Sequence, residues 1–62
     1  MKITSAKITH EKMGQSSVNI TINGDEFRLF SYFRDEVSFT ENELLGLTYR
    51  EAQELRIKKL KG

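Results

Sequence analysis

Few side chains in this 62-residue chain are of types that perform acid–base, nucleophilic or metal chemistry. His10 is the one histidine, cysteine is absent, and no ligand spacing matches a zinc or calcium site. Serines occur, but none lies in a nucleophile elbow. The carboxylate pairs Asp35/Glu36 and Glu41/Glu43 fall in a polar connection and at a helix start, rather than in an apolar pocket that would raise a pKa. We therefore expect no catalytic residue, no metal and no cofactor.

Length and composition favour the same conclusion. A domain of about 60 residues buries only about 60% of the surface that its unfolded chain exposes, which leaves little room for an enclosed substrate pocket. The lack of cysteine and of an apolar N-terminal stretch favours a reducing, cytoplasmic location. No run approaches the roughly 20 apolar residues that span a bilayer. We interpret residues 1–62 as a single domain that is not an enzyme and not membrane-bound.

The charges are unevenly distributed along the chain although the net charge is only +1. Residues 1–24 carry three lysines against one glutamate, and residues 25–54 carry three arginines against eight carboxylates. Residues 55–62 add four cations, which would complement the dipole at the end of a helix. The acidic middle segment argues against a strong nucleic-acid footprint, because phosphate binding requires concentrated positive charge.

A β-hairpin is the clearest element in the sequence. Asn23-Gly24 is the preferred type I′ turn, and residues 17–22 alternate apolar and polar side chains before it. The turn predicts three cross-strand pairs: Ile22 with Asp25, Ile20 with Phe27, and Val18 with Leu29. A first strand is expected over about residues 2–11. Together, strands over 2–11, 16–22 and 25–33 predict an antiparallel meander.

Two capping boxes predict that the second half is helical. Thr40 with Glu43 and Thr48 with Glu51 each fit the pattern, and Gly46 stands between them at a helix C-terminus. Helices are therefore expected over about 41–45 and 49–60. Packed on one face of the meander, the face of Val18, Ile20, Phe27 and Leu29, they give an α+β domain.

An aromatic cluster at the end of the third strand is the best candidate binding site. Tyr, Phe and Arg are enriched at interface centres, so we expect a partner protein to be bound by four side chains: Arg28, Phe30, Tyr32 and Arg34. Phe33 is expected to face the core. One alternative is that the aromatic rings belong to the core and are covered by residues 35–39 or by the chain termini. Another is that the rings stack on the bases of single-stranded nucleic acid.

The pattern thus favours a small non-catalytic protein-binding module, of the type found among phage and mobile-element accessory proteins that bind or inhibit a host protein. An exposed edge strand would also offer a route to a homodimer.

The alternative is a small nucleic-acid-binding regulator. Residues 43–52 resemble the turn and second helix of a helix-turn-helix, although the first helix is too short and Asn42 stands where a small residue is usual. The sheet is a second candidate reader, using Lys2, Lys7, Arg28 and Arg34. A basic C-terminal helix would contribute another set of cations: Arg50, Arg56, Lys58 and Lys59.

Overall fold

The computed structural model describes residues 1–61. Its elements are β1 (Ile3–His10), β2 (Gln15–Ile22), β3 (Asp25–Phe33), α1 (Glu41–Leu44) and α2 (Tyr49–Lys61). The strands form one antiparallel sheet in the order β1-β2-β3, with β2 in the centre. Both helices pack on the sheet, which confirms the predicted α+β fold class.

Residues with a left-handed backbone conformation occur in both connections between the strands. Asn23 and Gly24 have φ values of 54° and 84°, as the type I′ turn requires. The predicted pairs Ile22–Asp25 and Ile20–Phe27 are present. Between β1 and β2 the chain makes a short 3₁₀ turn over Lys12–Gly14, in which Met13 has a φ of 62°.

A β-bulge in β3 changes the pairing beyond the first part of the hairpin. Asn19 pairs with Arg28, but Val18 pairs with Phe30, so Leu29 is an extra residue on β3. The predicted Val18–Leu29 pair is therefore wrong. Because side chains alternate across a strand, the extra residue moves every later side chain to the opposite face.

The core lies between one sheet face and the helical half of the chain. Its sheet side includes Ile3, Val18, Ile20 and Tyr32, and its other side includes Val37, Phe39, Leu44 and Ala52. Leu44 of α1 and Ala52 of α2 are fully buried in this layer, and Leu55 of α2 packs against it. The helices cover the face that holds Val18 and Ile20.

Backbone contacts from the helical half cover the outer edge of β1. The Ile3 amide donates to the Leu47 carbonyl at 2.7 Å, and the Gly46 amide donates to the Ile3 carbonyl at 3.0 Å. Further along, the Ile8 amide donates to the Glu41 carboxylate at 2.9 Å. These contacts satisfy part of an edge that would otherwise be open for pairing.

Both predicted capping boxes are formed. Thr40 caps α1 with Glu43 as its reciprocal partner. The Thr48 amide donates to the Glu51 carboxylate at 2.9 Å, and the Glu51 amide donates to the Thr48 hydroxyl at 3.1 Å. Within residues 1–61, neither helix is long and apolar enough to cross a membrane.

Candidate functional site

The four predicted partner-binding residues do not form one exposed patch. Tyr32 is only 7% exposed, and its ring packs edge-on against Phe39 with centroids 4.9 Å apart. Phe30 is half-buried between the Phe39 ring, at 5.0 Å, and the Arg56 guanidinium, at 5.5 Å. The bulge at Leu29 is the reason, because it turns both rings toward the helices.

The flanking residues of that cluster lie elsewhere. Phe33 is 46% exposed and lies on the sheet face opposite Tyr32, so its predicted core position is wrong. Arg28 is exposed on the same sheet face as Phe33. The prediction of a joint aromatic and arginine surface is corrected accordingly, and a binding role stays a prediction for Arg28.

The Arg34 side chain forms hydrogen bonds at the end of the sheet. Its Nη1 donates to the Gln15 carbonyl at 2.7 Å and to the Ser16 hydroxyl at 3.1 Å. The same hydroxyl lies 3.0 Å from Nδ1 of His10. Although this places a serine beside a histidine, Ser16 is fully buried, so the contact holds the strand ends together and offers no surface for nucleophilic attack.

A shallow pocket lies between the end of β1 and the start of α1. Its volume is about 390 Å³, and its lining combines aliphatic, aromatic and polar side chains: Ile8, His10, Tyr32, Phe39, Thr40, Glu41 and Asn42. One carboxylate oxygen of Glu41 is used by the Ile8 amide. Within residues 1–61, no three histidine, aspartate or glutamate side chains converge where a metal ion could be held.

The outer side of α2 carries an exposed apolar row that we call the α2 stripe: Tyr49, Ile57 and Leu60. These side chains are 47%, 51% and 46% exposed. At about 100° per residue they fall within an arc of roughly 80° on the helix. Phe27 of β3, 40% exposed, extends the row, because its ring lies 6.1 Å from that of Tyr49.

The basic residues of α2 differ in their surroundings. Lys59 pairs with Glu43 at 2.7 Å, and Arg56 lies over Phe30. Arg50 forms an exposed surface pair with Glu54 at 3.7 Å, and Lys58 is exposed. Of the four cations predicted as a basic helix surface, two pack within the chain and two remain at the surface, so a nucleic-acid-binding role for this helix stays a prediction.

The sheet face turned away from the helices is polar, and we call it the open face. It holds the alternate residues of each strand: Ser5, Lys7, Thr9, Gln15, Ser17, Asn19, Thr21, Glu26, Arg28, Ser31 and Phe33. Lys7 pairs with Asn19 across β1 and β2, and Asn19 pairs with Arg28 across β2 and β3. These three side chains therefore form one row across the whole sheet.

Lys7 and Arg28 were predicted as cations of the sheet, but their alignment with Asn19 in one row depends on the strand register, including a shift in β1 between Ile3 and Ser5. The α2 stripe was not predicted, although its members recur at helical spacing. Comparison of the chain with protein-family models, curated proteins and solved structures found no match to any of them.

Proposed function

We propose that the chain is a small protein-binding module that contacts its partner through the side formed by α2 and β3. The observation that carries this proposal is the α2 stripe with Phe27 beside it. These four large apolar side chains each keep two-fifths to one-half of their surface exposed. Aligned apolar exposure of this kind marks interaction sites on small proteins.

The composition of this side fits an interface better than a solvated surface. Tyr and Phe are enriched at interface cores, and a few such residues supply most of the binding free energy. The ion pair of Arg50 and Glu54 lies next to the stripe on α2 and supplies a polar rim. Truncating a central apolar side chain should therefore weaken binding far more than removing a rim charge.

The free edge of β3 supports the same location. Within residues 1–61, β3 pairs with β2 alone, whereas the outer edge of β1 is partly covered. Gln53 of α2 reaches the Leu29 carbonyl at 3.4 Å and the Tyr49 hydroxyl at 3.1 Å, which keeps the helix beside the strand. A partner lying along β3 would contact the stripe at the same time. Blocking a host protein by occupying its surface is the action we propose.

The test compares two double variants in capture from a native lysate treated with nuclease. Ile57→Ser with Leu60→Ser removes half of the apolar row, and Lys58→Ser with Lys61→Ser is the matched control on the same helix. We expect a captured protein to be lost with the first pair and kept with the second. Titration of that protein should show at least about tenfold weaker binding, as for hot-spot residues. Equal capture by both variants would reject the α2 stripe.

A further inference from the structure

We propose that the open face binds the major groove of double-stranded DNA, with the Lys7–Asn19–Arg28 row as its contacting residues. This proposal goes beyond the proposed function, because it concerns the opposite side of the molecule. The row lies at paired positions of the three strands, on the face that the helices leave uncovered.

The chemistry of the row matches the groups that a major groove presents. Arginine and lysine donate to the O6 and N7 acceptors of guanine, and asparagine exchanges two hydrogen bonds with adenine. Either cation also contacts phosphates. Lys7 and Arg28 are exposed, and Asn19 between them is half-buried on the central strand. The register therefore supplies one amide between two cations, each on a different strand.

The fold moves part of the acidic middle segment away from the proposed contact row. Four of its carboxylates lie in the helical half, where Glu41 binds the Ile8 amide, Glu43 pairs with Lys59, Glu51 caps α2, and Glu54 pairs with Arg50. Among residues 1–61, Glu26 is the one acidic side chain of the open face. The fold thus places these four carboxylates away from the open face, and Glu26, two residues before Arg28 on β3, is the acidic group beside the row.

Shape and composition favour duplex DNA over other occupants. Three strands about 4.8 Å apart span about 10 Å, which fits a major groove about 12 Å wide. The rows beside the central one are mostly small hydroxyl side chains: Ser5 and Thr21 on one side, and Thr9, Ser17 and Ser31 on the other. Such rows let a backbone approach closely, whereas a protein interface would favour aromatic side chains here.

Two further features of the open face concern the kind of nucleic acid that it would bind. Within the described residues the open face has a single aromatic side chain, Phe33 at its end, so it lacks the stacking platform that single strands require. Ser17, beside Asn19 along β2, is only 1% exposed, so the contacts of the central strand fall to Asn19.

The first experiment measures fluorescence anisotropy of a labelled 20-base-pair duplex of mixed sequence between 50 and 200 mM salt. With phosphate contacts from Lys7 and Arg28, wild-type affinity should fall about 12-fold over this range. Lys7→Gln with Arg28→Gln should weaken binding at 50 mM salt at least tenfold and remove most of the salt effect. Lys58→Gln with Lys61→Gln removes the same charge from α2 and should match the wild type within twofold.

Three results would overturn the proposal: no binding at 50 mM salt, equal weakening by both double variants, or tighter binding of a single strand of the same length. Amide chemical-shift changes on adding the duplex give a second readout. They should centre on Ser5, Thr9 and Ser31, and changes centred on α2 would contradict a sheet-face site. Both variants replace exposed side chains, and matching circular dichroism spectra would establish that they remain folded.

Discussion

Lys59 near the end of α2 forms an ion pair with Glu43 of α1, with 2.7 Å between Nζ and Oε1. The same ammonium donates to the Ser38 carbonyl at 2.8 Å and lies 4.5 Å from the centroid of the Phe39 ring. One side chain therefore connects α2 to α1 and to the segment that precedes it. Both partners of the ion pair are mostly buried, so salt screens this pair less than a surface pair.

The ion pair predicts a loss of stability at acidic pH. Burial by itself raises the pKa of Glu43, but hydrogen bonds from Lys59 and Thr40 and the charge of Lys59 outweigh it and hold this pKa below its ordinary value of 4.5. Because the folded pKa is depressed, the contribution is complete above the ordinary pKa and is lost as pH falls through the folded one. Glu43→Gln keeps the capping box, so it should cost about 0.5–1 kcal/mol at pH 7.

Urea unfolding at pH 7 and pH 3 checks this expectation. The difference between wild type and Glu43→Gln should shrink at pH 3, while Glu36→Gln, in the exposed connection, should follow the wild type at both values. Acid sensitivity that persists in Glu43→Gln is expected from Glu51, whose pKa is lowered first by the backbone hydrogen bond from Thr48. A Glu43→Gln protein as stable as wild type at pH 7 would contradict the role of the ion pair.

Tyr32 and Phe33 are adjacent in sequence, but opposite outcomes are expected when each is replaced by alanine. Tyr32→Ala should cost about 3–5 kcal/mol, because it opens a cavity against Phe39 in the core. Phe33→Ala should cost less than about 1 kcal/mol, since that ring is half exposed on the open face.

The conservative variant Tyr32→Phe separates packing from hydrogen bonding. Tyr32 lines the shallow pocket, and phenylalanine keeps the ring packed against Phe39, so we expect the unfolding free energy to stay within about 0.5 kcal/mol of the wild type. Chemical denaturation of the three variants measures these differences. Equal losses of unfolding free energy in the alanine variants at positions 32 and 33 would indicate that the bulge lies elsewhere in β3.

Local signals in the sequence predicted most of the fold. The Asn23-Gly24 turn needs only two residues to specify a hairpin, and each capping box needs four to specify a helix start. These signals act over a few residues, so their predicted elements agree with the observed ones within one or two positions.

The candidate sites were harder to predict because they depend on a single extra residue. Nothing in the stretch Arg28-Leu29-Phe30 distinguishes a bulge from continued alternation, since apolar residues occupy both Leu29 and Phe30. What selects the bulge is tertiary: it lets Leu29, Phe30 and Tyr32 all pack toward the helices. One inserted residue reverses the faces of all that follow, so the predicted binding residues Phe30 and Tyr32 turn toward the helices, while Arg28 and Arg34 stay exposed.

Arg34 is expected to stabilise the domain through geometry that lysine cannot reproduce. Its Nη1 serves both the Gln15 carbonyl and the buried Ser16 hydroxyl. Arg34→Ala should cost about 1–3 kcal/mol, because it removes two charge-assisted hydrogen bonds, one of them to the buried Ser16 hydroxyl. Arg34→Lys should recover only part of that loss, since a single ammonium replaces the planar guanidinium.

Thermal and urea unfolding of both Arg34 variants, with Arg28→Lys as the control, tests this assignment. Arg28 is exposed on the open face, so its replacement should change the unfolding free energy by less than about 0.5 kcal/mol. Full stability in Arg34→Lys would show that charge alone is needed at the end of the sheet.

Met13 is a position where a substitution should stabilise the protein. Its φ of 62° lies in the left-handed region, which costs an ordinary side chain roughly 1–2 kcal/mol. Its side chain is 94% exposed, so replacing it removes no packing. Asparagine tolerates this conformation, and Met13→Asn should therefore raise the unfolding free energy by about 0.5–1 kcal/mol. Met13→Gly should gain less, because glycine loses more backbone entropy on folding.

The control for Met13→Asn is Lys12→Asn, one residue earlier in the same turn and without a positive φ. It should leave stability unchanged or slightly lower, which separates the backbone effect from any general effect of asparagine in a turn. Gly14 has a φ of 75°, so Gly14→Ala should act in the opposite direction and lower stability. If Met13→Asn and Lys12→Asn gave the same urea midpoint, the left-handed conformation at Met13 would carry no measurable strain.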